Sequence, residues 1–154
     1  MIPLRSAAEI VGRLEWPAAA EPLLVDVPPE LEKILTESAA AGATVSSAAA
    51  AKIRSVKGSF DFILLWQEDR VGSRAVLAAA QKRLQPDGRL WVATAMRKIQ
   101  GPRTPAVHRL GLEDLKKAFA KEKLVCDREV RLSAWHTAYR FVRPDSSGPR
   151  SKID

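Results

Sequence analysis

The chain has 154 residues, 46% hydrophobic and 28% charged, a size and balance that suit one globular domain with one core. No apolar run approaches the roughly 18 residues a membrane-crossing helix needs, and the single cysteine, Cys126, leaves no internal disulfide and no cysteine-based metal cluster. With 25 basic residues against 18 acidic the net charge is +7, which suits a polyanion and equally a soluble protein with a basic tail.

The N-terminus opens an amphipathic stretch rather than a charged patch before an apolar core, so no secretory signal is expected and a cytoplasmic location is the simplest reading. Ser6 and Glu9 form a capping-box pair, and Ile10, Val11 and Leu14 give an apolar stripe, predicting a helix over about 6–16. Trp16-Pro17 closes it, because the residue before proline is pushed out of the helical region. Residues 22–27 read as a first buried strand, ended by Pro28-Pro29. Pro29 suits the first position of the next helix, whose face is Leu31, Ile34 and Leu35 and whose stop is Gly42. Residues 43–45 are a candidate second strand. Residues 46–57 stay ambiguous, alanine-rich yet without apolar periodicity and basic at Lys52, Arg54 and Lys57.

Phe60 to Trp66 is an almost unbroken apolar run, the clearest strand of the chain. A helix over about 70–84 follows, then a Pro86-Asp87-Gly88 turn and a strand from Leu90 to Met96. Residues 97–109 hold Arg97, Lys98, Arg103 and Arg109 and no acid, and read as a basic loop. Leu112, Leu115 and Phe119 predict a helix from near Gly111, with Glu113 and Asp114 favoured in its first turn. Alternation over 124–132 and 135–142 predicts an antiparallel hairpin, and 144–154 a flexible tail.

Strand-helix-strand units with short turns imply a parallel sheet covered on both faces. The expected fold is therefore α/β: a three-layer, Rossmann-like, mostly parallel sheet with a C-terminal antiparallel hairpin, in one domain over 1–143. The run Phe60-Asp61-Phe62-Ile63-Leu64-Leu65-Trp66, a helix, and Leu84-Gln85-Pro86-Asp87-Gly88-Arg89-Leu90-Trp91 resemble the middle of a class I S-adenosylmethionine-dependent methyltransferase. Over its whole length the chain is similar to small uncharacterised bacterial Rossmann-like proteins. The resemblance rests there on Val25-Asp26-Val27-Pro28-Pro29-Glu30, Leu90-Trp91-Val92 and Ser133-Ala134-Trp135.

The chain departs from methyltransferases at the cofactor turn, where glycines let the backbone approach the ligand. Here the turn is Asp26-Val27-Pro28-Pro29, without glycine, and no acid follows Val45 to hold ribose hydroxyls. The expectation is a degenerate cofactor site and no cofactor, with S-adenosylmethionine the ligand the resemblance would otherwise supply.

Ligands of open parallel sheets sit beyond the carboxyl ends of the strands. That edge makes Asp26, Pro28, Pro29, Trp66, Glu68 and Asp69 the candidate cofactor-binding residues. Glu68 and Asp69 are the candidate acid–base pair, and adjacent carboxylates there also suit a solvated loop. No residue is assigned a catalytic role. His108 and His136 lack partners at metal-ligand spacing, and His136 reads as a surface or half-buried residue. Cys126, Trp91 and Trp135 read as core, and no Gly-x-Ser-x-Gly elbow occurs. The leading functional expectation is a non-catalytic binding or scaffolding protein with a protein partner. The alternatives are an S-adenosylmethionine- or nucleotide-using enzyme with a divergent pocket, and a nucleic-acid module working through loop 97–109 and the tail; no membrane partner is expected.

Overall fold

Parallel pairing of the apolar runs organises the computed structural model, which describes residues 2–16 and 19–144. In chain order the strands are β1 (Pro22–Val25), β2 (Ser46–Ala48), β3 (Phe60–Trp66), β4 (Leu84–Ala95), β5 (Val125–Arg131) and β6 (His136–Val142). They form one sheet of order β2-β1-β3-β4-β6-β5. The first four are parallel, and β6 runs antiparallel to both β4 and β5. The α-helices are α1 (Ala7–Arg13), α2 (Pro29–Glu37), α3 (Ser73–Lys82) and α4 (Leu112–Phe119), with short 3₁₀ turns at Ala50–Ser55 and Ala106–His108.

Strand periodicity sends alternate side chains to opposite faces, and each face has its own core. Ile63, Leu65, Leu90 and Val92 pack under Leu77 of α3, Leu115 and Phe119 of α4, and Ile53. Phe62, Leu64, Trp66 and Trp91 pack under Ile10 of α1 and Leu31 and Leu35 of α2. That is the expected three-layer α/β fold with its closing hairpin. The Trp16 indole N–H donates to the Leu35 carbonyl (2.7 Å), tying the end of the first layer segment to α2. Among the described residues, no helix is long and apolar enough to cross a membrane.

Several elements differ from the sequence reading. The first helix stops at Arg13, with Ser6 Oγ accepting from the Glu9 amide at 3.2 Å. The second strand is 46–48, not 43–45, because Ser46–Ala48 is the segment in register with Leu23–Val25. The alanines after it form a 3₁₀ turn, in which Ile53 is the buried side chain, too little apolar surface to hold an α-helix. The Pro86-Asp87-Gly88 turn does not separate two elements. The β3–β4 register jumps from Phe60↔Leu84 to Phe62↔Arg89, so the turn bulges out within β4. β5, whose alternation implies one buried face, is mostly exposed because it is the edge strand. Cys126 and Trp135, read as core, are only partly buried. The tail expected over 144–154 lies, beyond residue 144, outside the described residues.

Candidate functional site at the carboxyl edge of the sheet

Strand order reverses between β1 and β3, since the chain places β2 on one side of β1 and then β3 on the other. Such a switch point opens a crevice beyond the strand ends. The candidate residues stand around it in two unlike settings.

At the β1 exit, Asp26 has φ 53°, the left-handed conformation that glycine usually supplies. Asp tolerates it better than most residues, and here two contacts fix it. The Asp26 amide donates to the Ala48 carbonyl (3.0 Å), and its Oδ1 accepts from the Ala50 amide (3.1 Å). The turn thus keeps a glycine-like path without a glycine. Pro28 is the N-cap of α2 and Pro29 its first residue, where a missing N–H costs nothing. The Pro28 carbonyl accepts from the Leu31 and Glu32 amides. Glu32 then reaches sideways to β2, its Oε2 accepting from Ser47 Oγ at 3.0 Å. A carboxylate from α2 thus stands beside β2. Asp26, Val27, Glu32, Ser47, Ala48 and Ala49 line an open hollow of about 320 Å³, at the lower end of ligand-pocket volumes.

At the β3 exit the groups are locked to one another. Glu68 Oε2 meets His136 Nε2 at 2.5 Å, and Glu68 Oε1 accepts from Thr104 Oγ1 at 3.0 Å. On the other side of the imidazole, His136 Nδ1 lies 2.9 Å from Ser133 Oγ. That hydroxyl oxygen already accepts from the Trp135 and His136 amides, each at 2.9 Å. A serine has two acceptor sites and one proton, so the proton goes to Nδ1, and Nε2–H donates to Glu68. The hydrogen-bond count assigns the tautomer. The donated bond from His136 holds the Glu68 carboxyl below the usual range against the opposing effect of burial, with the nearby imidazole and Thr104 adding to the lowering.

His136 and Ser133 are fully buried, which corrects the surface reading of His136. The Trp66 ring covers the imidazole with centroids 4.5 Å apart, so Trp66 packs inward at 8% exposure rather than opening onto the edge. A serine, a histidine and a carboxylate in line are the parts of a nucleophilic triad. Here the hydroxyl is inaccessible and fully committed, so the line is a tie between β3 and the hairpin. Asp69 does not pair with Glu68: its Oδ1 accepts from the Val71 amide at 2.8 Å, closing a turn. The proposed acid–base couple is thus not assembled.

Arg109 was grouped with the basic loop, but it is 5% exposed. Its guanidinium donates to the carbonyls of Met96 (2.6 Å), Ile99 (2.6 Å), Arg97 (3.2 Å) and Thr104 (2.9 Å). It is the clamp that orders the loop rather than a free phosphate ligand. Gly101, at φ 129°, lies so close to the Trp135 ring that an added Cβ would approach it to 2.3 Å. No group of histidine, cysteine, aspartate and glutamate among the described residues could hold a metal ion.

Sequence reasoning missed Glu32, whose role depends on a helix turning it toward β2, and the Glu68–His136 contact, which spans 68 positions. A local trace of the second existed in Ser133 three residues before His136, the spacing of a hydroxyl-capped turn.

No family model and no curated protein matches the chain in sequence. Solved structures do match it in fold. The mitomycin 7-O-methyltransferase MmcR superposes with a TM-score of 0.68 at 12% identity, over 89% of this chain and 52% of that one. A SAM-dependent methyltransferase from Aquifex aeolicus gives 0.65 at 11% identity, over 90% and 89%. The magnesium protoporphyrin IX methyltransferase from Synechocystis, with bound SAH (S-adenosylhomocysteine), gives 0.58 at 12% identity, over 89% and 80%. The fold is that of the class I S-adenosylmethionine-dependent methyltransferases. The chain spans about half the length of the first of these proteins and most of the other two.

These structures correct the expectation of no cofactor. It rested on the missing glycines, yet of the proteins sharing this fold the one from Aquifex aeolicus is SAM-dependent and the one from Synechocystis holds SAH. The physical reason is local: Asp26 takes the glycine conformation and the hollow beside it is open rather than filled.

Proposed function

We propose that this chain binds an S-adenosyl nucleoside, S-adenosylmethionine or S-adenosylhomocysteine, at the hollow beyond β1 and β2, and serves as a binding protein. The observation that carries the reading is the left-handed Asp26 turn beside an open hollow with a second carboxylate, Glu32, on its wall. Carboxylates there suit the ligand chemically, because they accept hydrogen bonds from ribose hydroxyls and attract an ammonium or sulfonium charge. Of the candidate residues, Asp26 lines this hollow, and Pro28 and Pro29 start the helix that carries Glu32 to its wall. Trp66, Glu68 and Asp69 do not line it. A binding rather than catalytic role is favoured because the carboxylates of Glu68 and Asp69 are already engaged within the protein.

Calorimetric titration with S-adenosylhomocysteine tests this directly. Saturable binding that weakens about tenfold in Glu32→Gln supports the reading, on the scale of one lost charged hydrogen bond. A flat titration at millimolar ligand would discard it. Turnover of labelled S-adenosylmethionine by the protein alone would replace binding with catalysis.

A further inference from the structure

The opposite layer carries a second concavity that shares no residue with the hollow at β1. It is a groove of about 520 Å³ between α3 and α4. Each helix and its flanking turn bring two cations to its rim, Arg70 and Arg74 from one side and Lys117 and Lys121 from the other. Asp114 and Glu122 also line it, but Asp114 is engaged with the Gly111 amide (2.9 Å). Among the described residues none of the four cations has a carboxylate in salt-bridge range.

The floor is apolar, with Leu77 and Leu110 flanked by Ala78 and Ala118. Two large apolar side chains stand exposed next to its Arg70, Val71 at 67% and Val107 at 70%. They are held together there, since Val71 follows Arg70 and Arg70 Nη2 donates to the Val107 carbonyl at 3.0 Å. A basic rim around an aliphatic floor calls for an occupant that is acidic on one side and apolar on the other. Nucleic acid fits poorly, because single strands rely on aromatic platforms for their bases and this groove has none. We infer that the α3–α4 groove docks an acidic amphipathic segment of a partner protein. Its carboxylates would meet Arg74, Lys117 and Lys121 while its apolar stripe covers Val71, Val107 and the aliphatic floor. The inference stands independently of the S-adenosyl reading.

The test uses the full chain and a fluorescein-labelled synthetic peptide with leucines at i, i+3, i+4 and i+7 and glutamates elsewhere, followed by anisotropy. Saturable binding is expected, falling about tenfold or more in Arg74→Glu/Lys117→Glu, whose positions are exposed and spare the core. Val71→Ser/Val107→Ser is expected to weaken it several-fold without altering its salt dependence, a loss that general charge attraction would not produce. Circular dichroism of each variant checks that it is folded. The inference is overturned if the peptide does not bind, or if the valine pair can be replaced without effect. It is equally overturned if a single-stranded oligonucleotide displaces the peptide and depends on the same residues.

Discussion

The two halves of the carboxyl edge use the same residue types for opposite ends. At β1 and β2, the carboxylates of Asp26 and Glu32 each accept one hydrogen bond, from Ala50 and Ser47, and border an open hollow. At β3 and β6, the carboxylate of Glu68 is held by both Thr104 and His136, under Trp66 and backed by a buried serine. A carboxylate with spare acceptor capacity and water beside it is available to a ligand. One that is mostly buried and partnered at both oxygens contributes stability instead. The difference teaches that position at the strand ends does not by itself make a residue a ligand contact.

Substitutions should therefore separate stability from binding. The largest effect is expected for His136→Ala, which strands a largely buried carboxylate and the Ser133 proton; leaving such a charged acceptor unpaired costs about 3 kcal/mol. Urea unfolding measures it, and a change below ~1 kcal/mol would show that the tie is not structural. The same tie has a pH signature. Because the Glu68 pKa is lowered from 4.5, its stabilising effect is fully present above that value and is lost as pH falls through the folded pKa. Melting temperature should accordingly drop more steeply on acidification in the wild type than in Glu68→Gln.

A middling effect is expected at Gly101, where alanine meets both a positive φ and the Trp135 ring, a cost of about 1–3 kcal/mol. Its measure is again unfolding, with loss of Trp135 fluorescence change as a local probe. The smallest effect on stability belongs to the open half. Asp26→Gly keeps the turn, so a change within about 1 kcal/mol is expected, while S-adenosylhomocysteine affinity falls. Asp26→Val would lose both, since a β-branched residue resists φ 53°. Equal stability of the glycine and valine variants would refute the special role of that conformation.

How much was legible in the sequence follows from the range of the interactions. β3, the α2 proline start and the two-faced sheet were readable because burial and capping leave local periodic signals. The register bulge at Gln85–Gly88 was not, because Pro-Asp-Gly punctuates a bulge and a turn alike. His136 looked like a polar strand residue, since its partner Glu68 comes from another part of the chain. Arg109 looked like part of a charged surface for the same reason: its acceptors are backbone carbonyls, which carry no sequence signature. The glycine-free turn misled most. Residue identity does not fix conformation there, and the neighbours Ala48 and Ala50 are what hold Asp26 in the glycine region.

Amide chemical-shift mapping of the isotopically labelled protein on titration with S-adenosylhomocysteine tests the central division most directly. The expected result is a saturable set of shifts concentrated at Asp26–Glu32 and Ser47–Ala50, with the amides of Glu68, Ser133 and His136 little changed. Shifts centred instead on Glu68 and His136, or none at saturating ligand, would contradict it.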